Sequence, residues 1–249
     1  SERCERLHVP VELDGNVIAI RQGEAAWADG TRVTVDGTIS AKTLSGVDAF
    51  DLHFASKGNG LAADWDGSRF LLRSKVRGEL ALTGSGFYPR LSGRVRLADG
   101  SLEVNDRAGA GEDWAQRQRR FLNRIEWNVA VEAGPRLKLE SPIFEINVEA
   151  GGETLFTGTL YNDAWALTGG VTAKGGAFTH QGTDFRVKTL SLNFPKGAGA
   201  FNPYVDLDAT LRVRESGNSS VDINLSKKGR LSENNVALSS SPARTDEEL

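Results

Sequence analysis

Strict alternation of apolar and polar residues is the feature of this sequence that most constrains its fold. Successive side chains of a β-strand point to opposite sides of the sheet, so alternation is typical of a strand with one buried face. In the clearest run, Val205, Leu207 and Leu211 fall on one side, and Asp206 and Asp208 fall on the other. We count roughly 16 such runs, which predict an all-β protein with one apolar face. Other clear runs are Ile125, Trp127, Val129 and Val131; Val221, Ile223 and Leu225; Phe50, Leu52 and Phe54; and Leu190, Leu192 and Phe194.

The turn residues favour an antiparallel arrangement of these strands. The 28 Gly are scattered along the chain, which indicates many strand ends and turns rather than a flexible linker. Asp-Gly and Asn-Gly pairs supply the positive φ that tight hairpins need. At about 4.8 Å per strand, a single sheet of this many strands would be elongated, on the order of 75 Å. The pairs begin at Asp14, Asp29, Asp36, Asn59, Asp66 and Asp99.

Two segments of the chain share five residues at identical spacing, which indicates a weak internal repeat. The shared pattern is an apolar residue, Gly, Val, Gly and a second apolar residue. It predicts a unit made of a strand, a turn and a second strand. The two copies are Leu91, Gly93, Val95, Gly100 and Leu102, and Leu167, Gly169, Val171, Gly176 and Phe178.

Residues 105–124 interrupt the alternation. Trp114, Gln118, Phe121 and Ile125 follow a helical spacing, so we expect an Arg-rich loop or one short helix here. This insertion separates an N-terminal part of the sheet, residues 1–104, from a C-terminal part, residues 125–241. A frayed tail follows at residues 242–249. The sequence contains no Met and opens without a signal peptide, so we expect a fragment or a processed form.

Composition and motifs exclude several classes of function. The formal net charge of -3 gives no attraction to phosphate backbones, so we expect no nucleic-acid partner. His8, His53 and His180 do not stand at a metal-ligand spacing, and Cys4 has no identifiable partners for nucleophilic catalysis. The sequence contains no Gly-x-Ser-x-Gly elbow and no phosphate-binding loop. We therefore expect no enzymatic activity, no metal and no cofactor.

Two groups of charged residues admit a functional interpretation. The adjacent acids Glu112 and Asp113 have the residue type of a glycosidase pair, but adjacent loop acids are usually solvated. The cations of the insertion are interleaved with aromatic residues, a pattern that fits anionic headgroups or nucleic acid. We favour a solvated loop for both groups. These cations are Arg117, Arg119, Arg120 and Arg124.

A sheet with one apolar face has two ways to keep that face from water. It can pack against a second sheet as a sandwich, or it can curl into a trough that holds an apolar ligand. The apolar residues are mostly Val, Leu and Ile, and segments that would form covering helices are nearly absent. These features favour the trough, and alternation alone leaves both arrangements open.

The second part of the sequence, from about residue 78, resembles the C-terminal domain of TamB, the translocation and assembly module subunit related to AsmA-like proteins. The resemblance rests on short motifs that occur in the order of that family. They are residues 91–102 (LSGRVRLADGSL), 137–142 (LKLESP) with 146–148 (INV), 167–171 (LTGGV) with 176–178 (GAF), 190–194 (LSLNF) with 202–209 (NPYVDLDA), and 238–242 (LSSSP).

This resemblance implies both a fold and a function. The fold would be an elongated, curved, mainly antiparallel sheet that forms an apolar groove, called a β-taco. The protein would be periplasmic and would carry phospholipid acyl chains between the inner and outer membranes of a diderm bacterium. It would be part of an envelope-spanning bridge that is anchored in the inner membrane. The resemblance also implies an alternative, a module for outer-membrane protein assembly whose sheet edge pairs with a BamA-like barrel.

We expect the groove to be lined by the inward residues of the clearest strands. Medium-sized aliphatic side chains in a continuous stripe would shield acyl chains from water. The ordinary alternative for each of these residues is the core of a sandwich. The predicted groove residues are Ile125, Trp127, Val129, Val131, Leu137, Leu139, Leu190, Leu192, Phe194, Val205, Leu207, Leu211, Val213, Val221, Ile223 and Leu225.

Overall fold

The computed structural model describes residues 4–43, 46–66, 70–104, 124–159, 165–196, 202–214 and 220–243. These residues form one sheet of 16 strands and contain no helix, which confirms the predicted all-β class. The strands are β1 (Cys4–His8), β2 (Val11–Asp14), β3 (Val17–Trp27), β4 (Arg32–Thr43), β5 (Gly46–Asp66), β6 (Phe70–Ser85), β7 (Pro89–Val104), β8 (Glu126–Ala133), β9 (Leu137–Ser141), β10 (Phe144–Val148), β11 (Glu153–Thr159), β12 (Trp165–His180), β13 (Thr183–Phe194), β14 (Tyr204–Arg214), β15 (Ser220–Arg230) and β16 (Val236–Ser241).

Neighbouring strands are mostly antiparallel, as the sequence predicted. From β3 to β7, and again from β11 to β16, consecutive strands lie side by side and pair antiparallel. β1 and β2 both pair with β3 at one edge of the sheet. The path from β1 to β16 crosses 13 strands, which at about 4.8 Å per strand gives a contour of about 58 Å. The sheet is therefore elongated.

Among the described strands, β7 pairs in parallel with both β8 and β9. Arg90 lies opposite Glu126, and Gly100 lies opposite Leu137. β8 and β9 therefore follow one another along the length of β7. β11 pairs with β8 and β10 pairs with β9, and both of them pair with β12. In the middle of the sheet, β8 and β9 together therefore take the place of one long strand beside β7. β11 and β10 together take the place of the next long strand, beside β12.

The parallel pairing gives the predicted insertion a topological reason. β7 ends at Val104, whereas β8 begins opposite the start of β7, so the chain has to return along the length of that strand. A parallel connection needs about a dozen residues or more, which a hairpin turn cannot supply. The insertion predicted at residues 105–124 lies outside the described residues except for Arg124, which precedes the buried Ile125.

The Asp-Gly and Asn-Gly pairs are divided between turns and strand interiors. Gly15 and Gly30 lie in the predicted turns before β3 and β4. The pair at Asp66 adjoins residues 67–69, which lie outside the described residues. The other three pairs stand inside strands, each in or opposite a β-bulge, because a glycine can also bend a strand without ending it. The turn prediction is therefore wrong for Asp36-Gly37 in β4, Asn59-Gly60 in β5 and Asp99-Gly100 in β7.

Each copy of the internal repeat is one uninterrupted strand. β7 and β12 are both 16 residues long, and each contains a whole copy. Gly93 and Gly169 lie inside these strands with φ of +139° and +110°. The prediction of a strand, a turn and a second strand is therefore wrong, because these glycines change the direction of the backbone while the sheet pairing continues on both sides.

Buried side chains are concentrated in the second part of the sheet. The larger cluster joins β10 and β12 to β15, and its members Ile146, Leu207 and Leu225 are each 1% exposed. A smaller cluster is built on Leu97, Ala133 and Leu137. In the described part of the chain before Val95, the buried hydrophobic residue is Leu52. The hydrophobic packing is therefore dense around β12 to β15 and sparse around β1 to β6.

Candidate apolar binding face

The strand registers place apolar side chains in continuous rows on one side of the sheet. Residues that pair across two strands project to the same side. One row runs from Leu52 through Leu82 and Leu91 to Trp127. A second row joins Ala173, Leu190 and Leu207. We call this side the apolar face and the opposite side the polar face.

The predicted groove residues lie on the apolar face, but they fall into groups of different burial. Val213 is 38% exposed at the end of β14. Trp127 is partly buried, and Ile125, Val129 and Val221 are buried. Leu137 belongs to the smaller cluster, and Val131 packs against it. The larger cluster contains Leu190, Leu192, Val205, Leu207 and Leu225, with Leu139, Phe194, Leu211 and Ile223 packed against it.

The apolar face continues into β3 to β7, in residues that the predicted set of groove residues does not include. Ile20 lies opposite Gly37 in the row of Leu52, and Val35, Phe54 and Leu80 form the next row. These residues follow the same alternation as the predicted groove residues. Glycines interrupt the apolar positions of their strands, and this shortens the runs that can be recognised in the sequence.

Glycines with left-handed φ take several positions on the apolar face. The φ angles of Gly37, Gly78 and Gly93 are +131°, +147° and +139°. A Cβ atom at Gly93 would lie 2.1 Å from the carbonyl oxygen of Glu79, so a larger residue does not fit without a shift of the backbone. Glycine kinks and β-bulges are the features that curve a sheet. The backbone is therefore consistent with a curved sheet.

Hydroxyl groups on the apolar side of β4 to β6 are bonded to the backbone. Ser56 Oγ donates to the carbonyl oxygen of Val76 at 3.1 Å, and Ser74 Oγ donates to that of Ala98 at 2.8 Å. Thr31 Oγ1 donates to the carbonyl oxygen of Gly60 at 3.1 Å. Because a buried polar group costs free energy unless it is paired, these bonds allow the face to remain apolar.

Three aromatic rings extend the apolar face where β8, β11 and β12 meet. The rings of Trp127 and Phe156 are 5.8 Å apart in an edge-on arrangement, and those of Phe156 and Trp165 are 5.4 Å apart. Both distances are typical of favourable aromatic pairs. The buried Nε1 of Trp127 has no hydrogen-bond partner among the described residues. Packing rather than hydrogen bonding therefore holds this indole.

A loop closes the apolar face at the end of β15. Leu231 and Val236, on either side of residues 232–235, pack against the larger cluster. The backbone N–H of Leu231 donates to the carbonyl oxygen of Pro203, and that of Ser232 donates to Asn202 Oδ1, both at 3.0 Å. A Cβ atom at Gly229 would meet atoms of this loop, so the loop lies directly over the strand.

The polar face carries cross-strand ion pairs. Arg90 lies 2.9 Å from Glu126 across the parallel pairing of β7 and β8. Lys138 donates to Glu145 at 2.6 Å, and this bond raises the pKa of Lys138. The bond from Lys174, 2.9 Å away, lowers the pKa of Glu149. Exposed pairs of this kind contribute little stability each. Their presence shows that this side of the sheet faces water.

The turn between β3 and β4 is fixed to the strands beside it through Asp29. The backbone N–H of Thr31 donates to Asp29 Oδ1 at 2.9 Å, and this bond is the main cause that lowers the pKa of Asp29. Lys75 on β6 lies 3.2 Å from the same carboxylate, and Asn59 on β5 donates to the backbone carbonyl of Asp29. The turn therefore lies over the β-bulge of β5, which falls between Ser56 and Leu61.

The described ranges offer neither a metal site nor a membrane-spanning helix. Those residues bring together no group of three or more His, Cys, Asp or Glu that would hold a metal ion. They also contain no helix with the length and hydropathy needed to cross a membrane. Within the described residues, the apolar face is the candidate site.

Comparison with known proteins identifies one family. The model of the TamB C-terminal domain family matches residues 15–249, nearly the whole chain. No curated protein matches the chain. The match includes β3 to β5, where the sequence alone had shown only the rhythm of strands.

Proposed function

Because the chain belongs to the TamB C-terminal domain family, a family of envelope proteins, we propose that it carries phospholipid acyl chains along its apolar face. In this proposal the protein is periplasmic and acts as part of a TamB-like bridge between the inner and outer membranes of a diderm bacterium. The apolar face is the floor of a groove, and the sixteen predicted groove residues lie on the side of the sheet that carries this face, between Ile125 and Leu225.

The observation that carries the proposal is the continuity of the apolar rows from strand to strand. Pairing in register carries the row of Leu52 across β5, β6, β7 and β8 without a charged residue. Burial of acyl chains in such a groove contributes about 0.8 kcal/mol for each CH₂ group removed from water. Charged headgroups stay in water at the rim, as the heads of amphipathic side chains do.

A transport path also requires that the ligand can leave. Ser56 and Ser74 donate their hydroxyl hydrogens to backbone carbonyls, so these groups offer no strong polar contact to a lipid. A pathway works best when binding is favourable but spread over many weak positions. The rows of Val, Leu and Ile have this character. No bond of the lipid is broken in this function.

The test is to purify the chain from bacterial envelopes and to identify the bound lipids by mass spectrometry. We expect phospholipid to co-purify with the protein. A variant with Leu80→Glu, which places a charge on the apolar face, is expected to lose that lipid. The matched control is Ala81→Glu, because Ala81 is the next residue and faces the polar side. Protein that is free of phospholipid in every preparation would refute the proposal.

A second function, assembly of outer-membrane proteins, is supported by the edge of the sheet. β16 pairs with β15 on one side, and no described strand pairs with its other side. An exposed edge can accept a strand from a partner, and a BamA-like barrel is the partner that this proposal names. Cysteine crosslinking between Ser239 and an edge strand of the barrel tests it. Formation of this crosslink together with an absence of lipid would favour assembly over transport.

A further inference from the structure

The two ends of the apolar face differ in how much of it is accessible. On β12 to β15, Leu190, Leu192 and Leu207 belong to a packed cluster, and Leu207 is 1% exposed. On β4 to β7, Leu52, Val95 and Leu97 are buried, whereas the other apolar side chains of the two rows that contain Leu52 and Phe54 are partly buried. We call the accessible part the open lane. It consists of Val35, Phe54, Leu80, Leu82 and Leu91, which lie in two adjacent rows; the buried Leu52 lies in the same row as Leu82 and Leu91.

The open lane continues to the β1 and β2 edge of the sheet. Leu13 lies opposite Ile18, and Val11 lies opposite Ile20. Leu7, on β1, lies opposite Ala25. Leu7 and Leu13 are 71% and 74% exposed, so the apolar surface reaches water at this edge. At the other end, the loop between β15 and β16 lies over the strands.

Resting on the function proposed above, we propose that the lipid occupies the open lane, with its acyl chain lying across β3 to β7. The lipid enters and leaves over the β1 and β2 edge. The cluster on β12 to β15 is a closed end that supports the sheet and does not bind lipid. This assigns the binding site to residues outside the predicted set of groove residues.

The dimensions of the lane fit an acyl chain. From β3 to β7 there are four strand spacings, which at about 4.8 Å each give about 19 Å. The hydrocarbon core of a bilayer is about 30 Å thick, so the acyl chains of one leaflet span about 15 Å. An acyl chain with the length that it has in a bilayer therefore fits within the four strand spacings, and its polar end reaches the rim.

The chemistry of the lane favours an acyl chain over a segment of protein. A polypeptide brings backbone N–H and C=O groups that need partners when they are buried. On the lane side of the sheet, the hydroxyls of Ser56, Ser74 and Thr31 already donate to backbone carbonyls. A hydrocarbon needs no hydrogen bonds and pays no such cost.

The experiment places a photoreactive p-benzoylphenylalanine at one position in each protein. Leu80 tests the lane, Leu192 tests the closed end, and Ala81 on the polar face is the control. After purification from envelopes and irradiation, mass spectrometry detects phospholipid attached to the protein. We expect adducts at Leu80 at a yield at least tenfold above those at Leu192 and Ala81. Equal or higher yield at Leu192 would overturn the inference, as would adducts of protein instead of lipid at Leu80.

A second measurement uses the protein without substitutions, so it does not depend on how a variant at the buried Leu192 folds. Phosphatidylcholine with a doxyl group near the end of one acyl chain is added to the unmodified protein, and NMR records the methyl signals of leucine. We expect signal loss at Leu80 and Leu82 and little change at Leu207 and Leu225. Loss at Leu207 and Leu225 alone would overturn the inference while leaving the proposed function intact. Absence of loss at every methyl group would refute both.

Discussion

The ammonium group of Lys227 donates to Asn235 Oδ1 at 3.0 Å and to the backbone carbonyl oxygen of Glu233. Lys227 lies opposite Leu207 in a row of the apolar face and is 4% exposed. A charge at such a position is costly unless it is bonded. The loop between β15 and β16 supplies these bonds, so a single lysine joins the loop to the closed end of the apolar face.

Replacement of Lys227 by Met is expected to loosen this loop and destabilise the protein. Methionine keeps most of the side-chain volume but donates no hydrogen bond. Bonds to charged groups contribute about 1.5–3 kcal/mol each, so we expect a loss of about 2–3 kcal/mol in the free energy of unfolding by urea.

The neighbouring residue provides the control for this prediction. Lys228 faces the polar side, where it lies 3.4 Å from Asp206 in an exposed pair. Exposed pairs contribute at most about 1 kcal/mol, so Lys228→Met should change stability much less. Equal losses for the two variants would show that Lys227 does not hold the loop.

A carboxylate introduced at the two ends of the apolar face should have two different effects. Leu207→Glu buries a charge inside the larger cluster, so we expect loss of more than about 3 kcal/mol of stability or failure to fold. Leu80→Glu leaves the carboxylate accessible to water, so we expect a folded protein without bound phospholipid. Circular dichroism and lipid mass spectrometry measure the two properties. A folded Leu207→Glu variant would contradict the packing described for β12 to β15.

Gly93→Ala is expected to destabilise the sheet more than Gly15→Ala. Both residues have left-handed φ, +139° and +59°, so both substitutions are strained. Alanine in the left-handed region costs about 1–2 kcal/mol. At Gly15 the added Cβ meets nothing within 4 Å, whereas at Gly93 it meets the backbone of β6. The difference between the urea unfolding midpoints of the two variants measures how much stability that contact costs. Similar midpoints would contradict the prediction.

The turn held by Asp29 should loosen at low pH. Because the bond from Thr31 lowers the pKa of Asp29, the folded protein binds this proton less readily than the unfolded chain. The stabilising contribution is present above the usual carboxyl value of 3.8 and is lost as pH falls through the lower, folded value. Near neutral pH, the Thr31 amide should therefore exchange its hydrogen more slowly in the wild-type protein than in the Asp29→Asn variant. In acid, this difference between the two proteins should disappear. Equal protection in both proteins near neutral pH would contradict this prediction.

The sequence predicted the strands and the apolar face well, for a physical reason. Alternation is a local property, and a face that is buried fixes the register of each strand. Val205, Leu207 and Leu225 were therefore assigned to one side from the sequence alone. Burial depends on which strands meet in space, so alternation could not show that Leu207 is enclosed while Leu80 is accessible.

The positions of the glycines, in a turn or inside a strand, were the feature that the sequence predicted least well. Gly30 and Gly37 both follow an aspartate, yet the first lies in a turn and the second inside β4. Both glycines have a positive φ, +85° and +131°, and the difference in setting lies in the neighbouring strand. At Gly37 the backbone of β5 approaches so closely that a Cβ atom would lie 1.8 Å from the carbonyl oxygen of Asp51. This approach is a tertiary contact, which no local pattern records.

The parallel pairing of β7 with β8 also bears on how the protein folds. The antiparallel neighbours are mostly joined by short turns, so they form contacts between residues that are close in the chain, and such contacts form quickly. The pair of Arg90 and Glu126 forms only when the chain closes a loop of 35 residues between them. We therefore expect β1 to β7 and β8 to β16 to collapse as two separate meanders. Their junction would then be the last part of the sheet to form and the first to open under force.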